Sequence, residues 1–230
     1  MEIISDQVHR IASKGRSTLG FGLVIGLVTS LWSANQAIKA LFDALNVVFH
    51  EKEKRGFFAR TALSLAFTGG TIVFVVVAMA AVVALPLVLS FIGLSDVANL
   101  LLRLARWPVL LLVMTFFLAC VYRFGPSREH ARWQWVSWGS AFAAIVWVVV
   151  SAGFSYYVAN FGSYNQTYGS LGAAIGFMTW IWISAIVVLV GAELNAEMEH
   201  QTARDTTASP SKPLGQRGAT MADTVGAAQD

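Results

Sequence analysis

The chain has 230 residues, 56% of them hydrophobic and only 13% charged, with a formal net charge of +3. Soluble domains carry roughly 25% charged residues, and between Arg132 and Glu193 there is no Asp, Glu, Lys, Arg or His at all. This excludes a soluble globular domain, whose outer faces need charge, and the basic residues are too dispersed to form a nucleic-acid-binding stripe.

In chain order, residues 1–16 place Ile4, Val8 and Ile11 at helical spacing, with Asp6, Arg10 and Lys14 around them. The pattern predicts an amphipathic helix at the membrane surface. A first span follows from Ser17 to Ile38, without charge and long enough for a bilayer core of roughly 20 helical residues. The helix should continue beyond the membrane, with Leu41, Leu45 and Val48 on one face and Lys39, Asp43 and Asn46 on another. The charge-free stretch Thr61–Leu94 exceeds one bilayer, and Pro86 interrupts it. It predicts a second span up to Leu85 and an interfacial segment over Leu87–Leu94, because an interior proline breaks the helix ladder.

The third span is Trp107–Tyr122, with Arg103 and Arg106 in the loop before it and Arg123 after. The fourth is Trp133–Val158 and the fifth Leu171–Ala192, joined by the polar, uncharged loop Asn160–Gly169. Residues 17–199 thus form the transmembrane domain. Beyond, Thr, Ala, Ser, Pro and Gly dominate, and residues 200–230 are expected to be a disordered tail. The fold class is all-α, a polytopic transmembrane bundle of about five spans.

Lys and Arg in short loops mark the cytoplasmic side. Lys52, Lys54, Arg55 and Arg60 follow the first span, and Arg123, Arg128 and Arg132 follow the third. Those loops and the C-terminal tail are therefore expected in the cytoplasm, and Asn160–Gly169 outside.

Candidate chemistry is sparse. His9, His50, His130 and His200 are scattered, and Glu197-x-x-His200 is one half of a di-metal ligand motif that needs two. No catalytic residue, metal site or cofactor is expected, and Cys120 reads as a packing residue. Gly22/Gly26 and Gly172/Gly176 match the small-residue helix-packing motif, serving either the monomer or a homo-oligomer. Trp147, Trp180 and Trp182 fall mid-span and are expected to pack.

A polar layer is expected at the cytoplasmic ends of the spans, from Lys39, Asp43, Asn46, Arg123, Glu193 and Asn195. Within it Arg123 and Glu193 should pair, since neither has an opposite charge one turn away on its own helix. Ionisable groups at that depth either lock helices together or line a vestibule. Asn160, Tyr164, Asn165 and Tyr168 form a candidate external loop. Membrane lipids are the expected partners, with no nucleic acid.

Several stretches are specific when taken together: Leu31-Trp32-Ser33-Ala34-Asn35, Ala44-Leu45-Asn46, Tyr122-Arg123-Phe124-Gly125-Pro126, Asn160 through Gly172, and Gly191-Ala192-Glu193-Leu194-Asn195. Over Val8 to Glu197 they resemble the YihY/BrkB family of bacterial inner-membrane proteins. The resemblance implies a six-span fold of which this chain matches all but the first span. It also implies export of lipid-like or small-molecule cargo, rather than the ribonuclease activity with which the family was once labelled. A non-transporting membrane scaffold is the alternative.

Overall fold

The computed structural model describes residues 16–84, 96–160, 170–208 and 210–226. Five long helices carry it: α1 (Arg16–Val48), α2 (Phe57–Met79), α3 (Asp96–Phe124), α4 (Trp133–Asn160) and α5 (Ser170–His200), with a short α6 (Thr220–Asp223) in the tail. Each of the five is long and apolar enough to cross a membrane. Lipid offers no hydrogen bonds, so a spanning chain must pair its own backbone polar groups, and helices do so within one segment. Hydroxyls inside the spans follow the same logic. Thr29, Thr115 and Thr179 each donate to the carbonyl four residues back, at 2.8–2.9 Å.

The predicted spans are all present, with longer helices around some of them. α2 continues into a π-helical turn, Ala80–Ala84, just ahead of Pro86. α3 begins at Asp96, so Arg103 and Arg106 lie in a helix and not in a loop. The intervening Leu, Ala and Arg are strong helix formers, and Pro108 is accommodated inside. The amphipathic segment, except Arg16 at the start of α1, and the interfacial segment over Leu87–Leu94 lie outside the described residues.

α4 packs on both α3 and α5, and α1 on both α2 and α5. Burial is concentrated at one end of the bundle, where Phe42, Leu45, Phe49, Tyr122, Val136 and Ala196 form the core. Toward the far end packing thins. α1 is exposed on every side from Gly20 to Ala34, a surface suited to lipid.

Two close approaches set the geometry of the core. At the α4–α5 crossing, a Cβ on Gly191 would stand 2.6 Å from Ala143 Cβ and 2.7 Å from Tyr122 Oη, and one on Gly139 would run into the Gly191 carbonyl. Only glycine lets these backbones touch. Gly22, Gly26 and Gly176, by contrast, have open space where a Cβ would go. These three motif glycines are therefore not close-packing positions within this chain. Higher in the same helix pair, Trp147 Nε1 donates to Ser184 Oγ (3.0 Å) and Trp180 Nε1 to Ser151 Oγ (3.1 Å), with the two indoles 5.6 Å apart. Trp147 and Trp180 thus pack between helices, with each N–H satisfied where water is scarce, whereas Trp182 is exposed on the outer surface.

The tail departs from expectation. It is folded against the charged end, with Thr206, Thr207, Arg217, Ala219, Met221 and Ala222 buried. Residues 206–208 pair with the α3–α4 loop through Arg132 N–H to Thr206 O (2.8 Å) and Ala208 N–H to His130 O (2.8 Å). The guanidinium of Arg217 donates to the carbonyls of Ala203, Arg204, Lys212 and Ala222. Low apolar content argued for disorder; here hydrogen bonds to a ready-made surface supply the order instead.

Candidate functional site: the charged end and its polar layer

α1 ends in a turn that aims the next loop inward. Glu51 N–H bonds to Asn46 O (2.7 Å) and His50 N–H to Val47 O (3.1 Å), while His50 adopts φ +53°. This is the Schellman arrangement, with a histidine where glycine is usual. It brings Glu51, Glu53, Lys54 and Arg55 under the bundle.

There Arg55 grips Glu53 through Nε (2.7 Å) and Nη2 (2.8 Å), and also donates to the carbonyls of Phe124 and Gly125. The guanidinium holds the Glu53 carboxyl down at about 2. Asn46 joins the same network, accepting from Ser127 N–H (2.7 Å) and donating to Glu53 (3.3 Å). Gly125 is pressed against Leu45 so closely that a Cβ would lie 2.7 Å from Leu45 Cδ1.

Arg128 and Glu199 make the deepest ion pair, bidentate at 2.6 and 2.8 Å, with both side chains fully buried. The Arg128 guanidinium lies 4.1 Å from the centre of the Phe49 ring, and Thr206 donates to Glu199 at 3.2 Å. One pair thus ties α1, the α3–α4 loop, α5 and the tail. Neither residue stood out in the sequence. A Glu seven residues beyond a span reads as solvated surface, and its partner is 71 residues away.

The six polar-layer residues all reach this end, but they form separate contacts rather than one network. Lys39 Nζ donates to Thr61 Oγ1 (3.1 Å) and lies 5.6 Å from the Phe57 ring centre. Asp43 takes Arg60 at 2.7 and 2.8 Å. Asn195 accepts from Gly139 N–H (2.8 Å) and donates to Val136 O, pinning α5 to α4.

The Arg123–Glu193 pair does not form. Arg123 donates to the Ala131 carbonyl and lies over the Trp133 ring at 4.7 Å, whereas Glu193 is exposed and makes no ion pair among the described residues. An aromatic face and a loop carbonyl satisfy the cation that the charge-pairing rule assigned to a carboxylate. Of the external-loop candidates, Asn160 ends α4 and donates to Tyr156 O (2.9 Å). Tyr164, Asn165 and Tyr168 lie outside the described residues.

A cleft of about 320 Å³ opens beside the lock, lined by Lys54, Arg55, Phe124, Glu129, His130 and Gly218. Burial, followed by the nearby Arg123 charge, pushes His130 below its usual range. Glu197 and His200 stand 3.9 Å apart on one helix face.

Comparison with known proteins places the chain among membrane proteins. A Bacillus subtilis (strain 168) protein named as ribonuclease-like, YfkH, is 30% identical over 204 residues, covering 85% of this chain and 71% of that protein. A UPF0761 membrane protein of Tolumonas auensis is 41% identical over 69 residues, 30% of this chain and 23% of its own length. One from Vibrio cholerae is 35% identical over 111 residues, 47% of this chain and 36% of its own. The chain therefore matches well under half the length of these UPF0761 relatives. No solved structure matches it significantly. The family model described as virulence factor BrkB matches residues 1–215, and the chain belongs to the BrkB family of multi-pass bacterial membrane proteins.

Proposed function

We propose that this chain is an inner-membrane transporter that moves an amphipathic, lipid-like molecule, with its charged end and C-terminal tail in the cytoplasm. The observation that carries the reading is the asymmetry of packing. The charged end is sealed by the Arg128–Glu199 pair, the Glu53–Arg55–Asn46 network and the docked tail, while the far half of α1 is apolar and open on all sides. A bundle closed at one membrane face and open laterally at the other admits a molecule from the lipid phase. Sidedness follows from Lys52, Lys54, Arg55, Arg60, Arg123, Arg128 and Arg132, all gathered at the sealed end.

The second reading is a scaffold without transport, favoured by the hydrogen-bonded packing of that same end. Neither reading is enzymatic, and the ribonuclease-like name of the Bacillus relative is not carried over. The open space beside Gly22 and Gly26 suits a second copy of the chain, which disulfide crosslinking of Gly22→Cys would detect. Purified protein in liposomes bearing a fluorescent lipid decides between the main readings. Faster loss of inner-leaflet fluorescence to an external quencher than in protein-free liposomes supports transport. Equal rates across several headgroups would leave the scaffold.

A further inference from the structure

We infer that the α1–α2 interface holds a binding site for an anionic lipid headgroup that also bears a hydroxyl donor. The inference rests on the transport reading and names its substrate class.

α1 and α2 pack against each other, and polar side chains line their seam at successive turns. At the outer edge Asp43 and Arg60 pair at 2.7 Å. One turn inward Lys39 Nζ meets only the neutral Thr61 hydroxyl and the Phe57 ring, and no carboxylate lies within ion-pair distance of it among the described residues. Lys39 is half-buried within the span Gly20–Val48, so this is a cation at the edge of hydrocarbon without a counter-ion. A phosphate is the natural complement, because charge-assisted hydrogen bonds to phosphate are short and strong.

A further turn inward Asn35 is 2% exposed, and its Oδ1 is buried without a donor. Antiparallel register from the Asp43–Arg60 contact puts Asn35 level with the buried Thr68, and Ser64 just before it. Both hydroxyls already spend their hydrogens on their own helix, Ser64 on Thr61 O (3.0 Å) and Thr68 on Ser64 O (2.8 Å). Their oxygens are thus left as acceptors, and Asn35 Oδ1 is an acceptor too. A buried amide oxygen without a donor, one turn from an unpaired ammonium, calls for a phosphate carrying a hydroxyl. The seam is flanked by exposed Leu31, Trp32, Leu65 and Ile72, which suit acyl chains left in the bilayer while the headgroup enters.

The test uses the full chain in nanodiscs and three short-chain probes with identical tails: phosphatidylglycerol, phosphatidylethanol (the same phosphodiester without free hydroxyls) and phosphatidylcholine. Phosphatidylglycerol should bind tightest and phosphatidylcholine weakest. Lys39→Gln should weaken phosphatidylglycerol about tenfold, the scale of one charged hydrogen bond, and Lys39→Arg should retain it. Asn35→Leu removes an unsatisfied acceptor and so should fold; it should leave phosphatidylethanol binding unchanged and abolish the preference for phosphatidylglycerol. Undiminished binding in Lys39→Gln, or no preference between the two anionic lipids in the parent, overturns the site. Inorganic phosphate competing as well as the lipid would also overturn it, reassigning the pocket to a soluble anion. Headgroup binding without lipid flux sinks transport and keeps the site; flux indifferent to Lys39 and Asn35 does the reverse.

Discussion

At the scale of single residues, the charged end is held by contacts between chain-distant partners. Arg128 and Glu199 are both fully buried, so removing one strands the other. Glu199→Leu should cost about 3–5 kcal/mol, and Arg128→Met in addition should recover a large part of it. Thermal unfolding in detergent of the two single variants and the double variant measures this. Gly139→Ala and Gly191→Ala each force a methyl into the facing backbone and should cost about 1–3 kcal/mol by overpacking, whereas Gly26→Ala should be nearly silent for the fold of the single chain. Glu53 adds a pH dependence. Its carboxyl is depressed from 4.5 to about 2, first by the side-chain hydrogen bond from Arg55. A group with a lowered folded-state pKa stabilises fully above its unfolded value, and that contribution disappears as pH falls through the folded one. Stability should therefore decline between about pH 4.5 and 2, and Glu53→Gln should flatten this window in a pH series of melting curves.

At the scale of elements, the tail is the one whose role changes most between pattern and structure. Its order depends on Arg217, which is 4% exposed and ties four carbonyls together, and on contacts such as Thr220 N–H to Glu51 (2.7 Å). Arg217→Gln should release it, and limited proteolysis should then cut between Gln201 and Gly226 while the helices stay intact. Deletion from Thr202 onward should lower the melting temperature, since it bares Glu199 and removes Thr206 from the pair. A tail that merely hung in solvent would be lost without effect. Asp205 anchors the same fold: burial works against its charge, but hydrogen bonds from Lys212 N–H and from Thr207 outweigh it and hold the carboxyl below its usual range.

At the scale of the whole molecule, the proposed orientation has a direct test in a Cys120→Ala background. Lys52→Cys, exposed at the charged end, should react with an impermeant thiol reagent only after spheroplasts are permeabilised. Asn160→Cys, exposed at the far end, should react in intact ones. The reverse pattern overturns the assignment. The sequence alone determined the class of this protein. Charge-free runs long enough to cross a bilayer can be read directly, because lipid penalises any unpaired polar group whatever the neighbouring helices do. The placing of charged residues at the ends of the apolar runs was legible too, since charges sort to the membrane boundaries. Only the tertiary structure decided who meets whom there. Arg123 faces Trp133 rather than Glu193, Gly139 meets Gly191 rather than a motif partner, and Arg128 finds Glu199 across 71 residues. Pairing depends on the rotation and crossing of helices, which side-chain packing sets and which no local spacing encodes.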